Sequence, residues 1–189
     1  MLCSMRPADD PALPALFAAP GVGFEQPFEM LEACHDRVRR TLRLLGRLIE
    51  HVRQHGHDAQ SRSAAHDVLR YFDLAAPQHH EDEERHVFPR LQASGDAALV
   101  AVVQRLRTDH ERMSTLWAGL RPVLVEWSGE GAAGPVDAAM GEHAREFEAL
   151  YAGHLPIEEE VAFPAARALC DAAACDGMGE EMQRRRRSP

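Results

Sequence analysis

Apolar residues recur every three or four positions along four long stretches of the chain, as they do on the buried face of an amphipathic helix. The first stretch predicts a helix from near Pro27 to Gly56, and the second predicts a helix from near Ala59 to Ser94. The inward positions of the first helix are Leu31, His35, Val38, Leu42, Leu45, Ile49 and Val52. Those of the second helix are Ala65, Leu69, Phe72, Ala76, His79, Glu83 and then His86 or Val87.

A glycine-rich loop over residues 128–135 separates the third stretch from the fourth. The inward positions of the third helix are Leu99, Val103, Leu106, His110, Met113, Trp117, Leu120, Leu124 and Trp127. Those of the fourth helix are Met140, Ala144, Phe147, Tyr151, His154, Glu158, Val161 and Ala165. Pro122 and Pro156 fall inside these helices and predict kinks, because an interior proline removes a backbone hydrogen bond.

Four amphipathic helices joined by short polar loops predict an all-α fold, an up-down-up-down antiparallel four-helix bundle. A chain of 189 residues is long enough to bury the core of one such domain. We expect a short irregular N-terminal arm over residues 1–27, which are rich in proline and alanine, and the bundle over residues 28–175. Residues 176–189 contain the run Arg184 to Arg187 and predict a flexible basic C-terminal tail.

The two halves of the chain repeat each other with an offset of 75 residues. The segment His-His-Glu-Asp-Glu-Glu-Arg-His-Val-Phe-Pro at 79–89 returns as His-Leu-Pro-Ile-Glu-Glu-Glu-Val-Ala-Phe-Pro at 154–164. In each half one histidine, His35 or His110, precedes this motif by 44 residues, which lets the chain run along one helix and return along the next to the same height. One two-helix unit is therefore used twice.

Six positions on the predicted inward faces carry polar side chains, and they come from all four helices. These residues are His35, His79, Glu83, His110, His154 and Glu158. Histidine and glutamate are unfavourable in a bundle core, because a buried carboxylate without partners is costly or takes up a proton. Six such residues at repeated spacing therefore predict metal ligands.

Four imidazoles and two carboxylates suit two metal ions rather than one. If both carboxylates bridge, each ion receives two nitrogens and two oxygens, which leaves room for a bridging oxo or hydroxo group and an open position. Nitrogen and oxygen ligands without thiolate favour two non-haem iron ions, with manganese or zinc as the other possibilities.

Two other ligand sets are compatible with local spacing. His80 and Glu84 are also four residues apart, but both lie outside the predicted inward face. A ferritin-like site needs a Glu-x-x-His pair on each of two helices, and residues 32–35 and 83–86 supply such pairs. The repeat argues against both sets, because neither recurs at the offset of the larger motif.

Several side chains are predicted to surround the metal ions and to control access to them. His86 follows Glu83 on the bundle face, and Tyr151 precedes His154 by about one turn, so its hydroxyl is a candidate contact for a bound ligand. Met113 and Trp117 occupy adjoining inward positions on the third helix, and Ser114 beside them is a further candidate.

Composition restricts the partners and the compartment. The net charge of −9 argues against nucleic acid or an anionic membrane surface, since both favour a basic protein. We expect no membrane span, because no apolar run is long enough, and the N-terminus lacks the pattern of a signal peptide. A cytoplasmic protein with four free cysteines is the resulting expectation.

The doubled motif resembles the hemerythrin-like HHE cation-binding domain, whose mark is His-x-x-x-Glu-Glu-x-x-hydrophobic-Phe-Pro within a four-helix bundle. The resemblance covers roughly residues 28–170 and implies a non-haem di-iron centre on the six residues named above. Two positions differ from oxygen-carrying hemerythrins. Ser114 stands where they have a fifth histidine, and Glu158 lies four residues after His154, where they have an aspartate at five.

The set of four histidines and two glutamates is more similar to di-iron proteins of nitrosative stress defence and iron-sulfur cluster repair. The resemblance thus implies a protein that binds or reduces a small ligand, O2, NO or peroxide, in sensing or stress defence. An iron donor for cluster repair is one alternative, and a bundle whose metal only holds the helices together is another. The sequence leaves open whether the protein is an enzyme, which residues would be catalytic, and whether it has a protein partner.

Overall fold

The computed structural model describes residues 22–130, 136 and 138–187, and every regular element within them is a helix. We number five helices in chain order. They are α1 (Pro27–His55), α2 (residues 59–93), α3 (Ala97–Ser128), α4 (residues 138–168) and α5 (Ala172–Arg187). α2 packs against α1 and α3, α3 packs against α4, and α4 returns to α1, as expected of a helical bundle. The all-helical prediction is confirmed, and the up-down-up-down order stays a prediction.

Local signals at the helix ends match the chemistry of helix caps. Pro27 occupies the first turn of α1, where a missing N–H costs nothing, and Gly56 ends the helix with φ of 78°. Asp58 accepts a hydrogen bond from the Ser61 backbone N–H, and the Ser61 hydroxyl is bonded in return to the Asp58 backbone N–H. The Asp96 side chain caps α3 by accepting hydrogen bonds from the backbone N–H groups of Ala98 and Leu99. These residues explain why the boundaries of α1 to α3 are readable from sequence.

α2 and α4 each contain π-helical turns, in which the backbone bond spans five residues instead of four. In α2 these turns cover Tyr71–Ala75 and Glu83–Val87, and in α4 one covers Glu158–Ala162. A proline stands two residues after the end of each π turn. In the second turn of α2, the N–H of Phe88 donates a hydrogen bond to the Glu83 carbonyl. Widening the helix by one residue accommodates a proline that would collide with the carbonyl four residues earlier.

The π turn in α4 corrects part of the predicted inward face. α-helical spacing after Glu158 predicts Val161 and Ala165, but Val161 is 39% exposed and the buried residues are Ala162 and Ala166. A π turn holds one additional residue, so every later inward position moves by one. On α2 the sequence leaves either His86 or Val87 as the inward residue after Glu83. The π turn there selects Val87, which is fully buried, whereas His86 is half-buried.

Two apolar clusters fill the interior, and the predicted metal ligands lie between them. On α1, Leu31 belongs to one cluster and Val38 to the other, with His35 between them. On α3, Leu106 and Met113 flank His110 in the same way. The clusters exclude water from the ends of the polar layer, which raises the free energy of any unsatisfied polar atom inside it.

The prediction of a flexible C-terminal tail is wrong for the described residues. α5 runs from Ala172 to Arg187, and Met178 and Met182 are buried against the bundle. Arg185 and Arg186 both donate hydrogen bonds to the carboxylate of Asp82, which is fully buried on α2. The tail is weakly apolar, so its helix depends on this docking, which local periodicity does not reveal.

Only part of the predicted N-terminal arm can be compared with the structure. Residues 1–21 lie outside the described residues, and residues 22–26 contain no regular element. The Phe24 ring lies under the Arg186 guanidinium, 5.3 Å from its carbon. Gly179 permits this contact, because a Cβ at that position would overlap the Phe24 carbonyl oxygen.

Candidate metal centre

The six polar side chains predicted to face inward meet at one level of the bundle. None is more than 4% exposed, and Glu83 and Glu158 are fully buried. Potential ligand atoms fall into two groups, each within 4.8 Å. The first group is His35, His79, Glu83 and Glu158, and the second is His110, His154 and Glu158. Glu158 belongs to both groups.

The two carboxylates lie across the boundary between the histidine pairs. Glu83 places Oε1 3.2 Å from His79 Nε2, and Glu158 places Oε2 3.3 Å from His35 Nε2. The other oxygens face the second pair. Glu83 Oε2 lies 3.5 Å from His110 Nε2, and Glu158 Oε1 lies 2.8 Å from His154 Nε2. Each carboxylate therefore offers one oxygen to each pair of histidines.

Unsatisfied polar atoms concentrate at this level. Among the described residues, buried side-chain atoms without a hydrogen-bond partner include both oxygens of Glu83 and Glu158 and the Nε2 atoms of all four histidines. Buried polar atoms are normally satisfied, so this concentration calls for a bound partner. Metal ions would coordinate these Nε2 atoms and carboxylate oxygens, and the donor set fits them.

Two further carboxylates fix the orientation of one histidine in each pair. Glu159 Oε1 lies 2.8 Å from His35 Nδ1, and its other oxygen accepts a bond of 2.7 Å from Arg39. Glu84 Oε1 lies 2.9 Å from His110 Nδ1. In both cases a carboxylate at Nδ1 selects the tautomer whose Nε2 is free to bind metal, and it increases the basicity of that nitrogen.

These outer contacts connect the two halves of the repeat. Glu84 and Glu159 occupy equivalent positions, yet Glu84 from the first half orients His110 in the second, and Glu159 orients His35 in the first. Each half thus completes the histidine environment of the other. A single two-helix unit would lack both contacts.

The repeat is asymmetric around the remaining two histidines. Asp109 Oδ2 lies 3.4 Å from His154 Nδ1. The position equivalent to Asp109 in the first half is Cys34, and His79 Nδ1 has no hydrogen-bond partner in the described structure. The two histidine pairs are therefore chemically unequal.

Without metal, the buried groups of the centre shift one another's pKa values away from their ordinary values. Burial opposes the charged form of His35, but the adjacent Glu158 and Glu83 carboxylates raise its pKa to about 10. Burial and the neighbouring Glu158 charge raise the pKa of Glu83 well above its usual value. The pKa of Glu158 is lowered, because His154 and His35 outweigh its burial. Burial and the positive charge of His35 lower the pKa of His79.

Metal uptake is expected to release protons and to strengthen with pH. A metal ion bound at His35 would displace its proton, which a pKa near 10 keeps in place at neutral pH, and the raised pKa of Glu83 acts in the same direction. Affinity should rise about tenfold per pH unit for each proton released. Calorimetric titration with Zn²⁺ in buffers of different ionisation enthalpy measures the number of protons released. A buffer-independent heat at neutral pH would contradict the expectation.

The same shift predicts how the metal-free fold depends on pH. Because the folded pKa of His35 exceeds its ordinary value of 6.5, its contribution to stability is complete below that value. The contribution is lost as the pH rises through about 10.

A pocket of about 370 Å³ opens beside the second histidine pair, and we call it the side pocket. Four of the residues predicted around the metals line it, namely Met113, Ser114, Trp117 and Tyr151. Its other lining residues are Phe72, Ala76, Pro77, His80, Glu81, Glu84, His110, Glu111 and Phe147. The fifth predicted residue, His86, lies elsewhere, with Nε2 2.6 Å from Glu181 on α5. It fastens the C-terminal helix to α2.

Sequence reasoning missed two kinds of neighbouring residue. Sequence spacing places His80 outside the inward face, but its ring stacks on that of His110 at 4.0 Å with an interplanar angle of 12°. The spacing also does not predict that Glu84 and Glu159 are partners of histidine. A signal existed, because both copies of the motif carry two adjacent glutamates, and about 100° of helix rotation separates their directions.

Comparison with known proteins agrees with this geometry. The profile of the hemerythrin HHE cation-binding domain matches residues 26–166. The chain belongs to this family. It is also 31% identical over 163 residues to an uncharacterised protein of Haemophilus influenzae, covering 86% of this chain and 91% of that protein.

Membership confirms the resemblance inferred from the doubled motif, and the HHE domain identifies the chain as a protein that binds metal cations. The match contains all four histidines and both glutamates of the centre and ends before α5. The C-terminal helix is therefore an addition to the matched region. No helix in the described part of the chain has the length and apolarity needed to cross a membrane.

Replacing Glu159 with alanine should weaken metal binding without abolishing it. The HHE domain would lose the acceptor on His35 Nδ1 and the link to Arg39, and loss of such an outer partner typically costs about 10- to 100-fold in affinity. Competition with a chelator of known affinity measures the effect. The matched control is Glu160→Ala, which removes an exposed neighbouring glutamate and should leave affinity unchanged.

Proposed function

We propose that the centre holds two iron ions and that both carboxylates bridge them. His35 and His79 would bind one ion, and His110 and His154 the other. The observation that carries this proposal is the division of each carboxylate between the two pairs, with Glu158 oxygens 3.3 Å from His35 and 2.8 Å from His154. A single ion would leave one pair of buried histidines without a partner.

The donor set supports iron as the metal. Four imidazoles and two carboxylates suit Fe²⁺ or Fe³⁺, whereas a thiolate-rich set would favour zinc or copper. No cysteine belongs to either ligand group among the described residues. Manganese and zinc accept similar ligands, so the metal must be identified by analysis of the purified protein.

The protein residues prepare a dry, rigid site for the metals. Glu84 and Glu159 hold His110 and His35 with Nε2 directed inward, and the apolar clusters on both sides exclude water. Iron bound there would supply Lewis acidity and one-electron redox chemistry. Because Glu84 and Glu159 hold these two histidines in place, the histidine side chains would move little when the charge of the metal changes.

We propose that this centre binds or reduces a small ligand such as O2, NO or peroxide, in sensing or stress defence. The side pocket supports this function over a purely structural metal site, because it brings solvent-accessible space to His110. Ser114 lines the same pocket at the position where oxygen carriers have a fifth histidine, so the second metal position has one fewer protein ligand.

Metal content and the visible spectrum of one sample test the proposal. Protein purified without added metal should contain about two irons per chain by plasma mass spectrometry. Its oxidised spectrum should bleach on anaerobic reduction and change on exposure to NO. One zinc per chain, or a colourless folded protein without iron, would contradict the di-iron assignment and favour a structural metal.

A further inference from the structure

We infer that the side pocket is an entrance to the metal centre on the side of His110, and that it admits uncharged small ligands in preference to anions. The inference rests on the proposed function, because it names the ligand class of the same site. Three features of the pocket carry it, namely its position, the groups at its inner end and its charge.

The pocket reaches only one of the two histidine pairs. His110 lines it directly, and the ring of Tyr151, which also lines it, lies 6.5 Å from that of His154. Neither His35 nor His79 is among its lining residues. The His35 ring is instead stacked on Phe163 at 5.3 Å and is fully buried. An external ligand arriving through the pocket would meet the His110 side first.

The inner end of the pocket carries two polar groups on an otherwise aromatic wall. The Tyr151 hydroxyl lies 3.5 Å from His80 Nε2, and the His80 ring covers that of His110. Phe72 and Trp117, with ring centres 5.1 Å apart, form the adjacent wall. His80 and Tyr151 can therefore hydrogen-bond a small ligand at the inner end of the pocket. The aromatic wall favours an uncharged ligand.

The charge around the entrance opposes anions. Glu81, Glu84 and Glu111 line the pocket, and no arginine or lysine appears among its described lining residues. Glu81 and Glu84 have arginine partners outside the lining, while Glu111 is exposed at the mouth. Carboxylates at a mouth lower the local concentration of anions and leave neutral molecules unaffected. NO, O2 and hydrogen peroxide are neutral, whereas azide and nitrite are not.

Fluorescence quenching tests access and charge selection in the metal-free protein. Trp117 lines the pocket and Trp127 is fully buried, so subtracting a Trp117→Phe spectrum isolates the signal of Trp117. Neutral acrylamide should quench it more strongly than iodide. Glu111→Gln should raise iodide quenching alone, and Glu142→Gln, an exposed control, should change neither. Equal quenching by both agents in wild type would overturn the charge selection.

Stopped-flow binding of NO to the reduced, iron-loaded protein tests the entrance. Ser114→Phe should obstruct the pocket and slow NO association, with iron content unchanged. Thr115→Phe, on the neighbouring exposed position, should behave as wild type. A wild-type rate in Ser114→Phe would overturn the inference. Failure of the wild-type protein to bind iron would contradict the proposed function instead, and the quenching result would still decide the pocket's selectivity.

Discussion

If the centre holds the two metal ions proposed above, replacing Glu158 with alanine is expected to remove both, whereas replacing His79 with alanine should remove about one. Glu158 contributes to both ligand groups, and its two oxygens face different histidine pairs. His79 belongs only to the first group. Loss of a shared ligand should weaken both proposed positions, while loss of His79 leaves His110, His154 and both carboxylates in place.

Plasma mass spectrometry after anaerobic reconstitution measures this difference in ions per chain. Glu160→Ala is the matched control, because Glu160 is exposed on the same π turn and should leave two ions bound. Circular dichroism must show that each variant keeps its helices. Full metal content in both Glu158→Ala and His79→Ala would refute the ligand assignment, and equal losses in the two variants would refute the bridging role of Glu158.

Removing the two arginines that bind Asp82 should destabilise the protein strongly. The Asp82 carboxylate is fully buried, and Arg185 and Arg186 on α5 both donate hydrogen bonds to it. In the variant Arg185→Ala with Arg186→Ala, this carboxylate would remain buried without either partner. Breaking a buried ion pair from one side typically costs about 3–5 kcal/mol. We expect a loss of that size in the free energy of unfolding.

Chemical denaturation of the metal-free protein measures this loss. Arg187→Ala is the control, since Arg187 is exposed and belongs to the same basic run. A triple variant that also carries Asp82→Leu should recover much of the lost stability, because it removes the buried charge itself. An unchanged midpoint in the double variant would show that α5 contributes little to the fold.

The helices and the six central residues are readable from the sequence for a local reason. Apolar spacing of three and four positions follows directly from helix geometry, so His35 and His110 stand out wherever they interrupt it. The offset between the two motif copies then identifies His79 with His154 and Glu83 with Glu158 without any knowledge of packing. The helix caps at Asp58 and Asp96 are local in the same sense.

Apolar spacing does not predict which residues face inward after Glu158 on α4. Val161 satisfies α-helical spacing, yet it is 39% exposed because the preceding turn has π geometry. A proline can be accommodated by a kink, a helix end or a widened turn, and packing of the following residues selects among these. Phe163, fully buried after that turn, shows which choice the core stabilises here.

The sequence by itself determined the all-helical class, the repeat and the residue types available to a metal centre, because these depend on local spacing and donor chemistry. Only the tertiary structure decided that Glu84 and Glu159 orient histidines from the opposite half and that His80 covers His110. It also decided that α5 docks on Asp82. These contacts join residues distant in sequence, and their geometry depends on how whole helices pack, which no local pattern records.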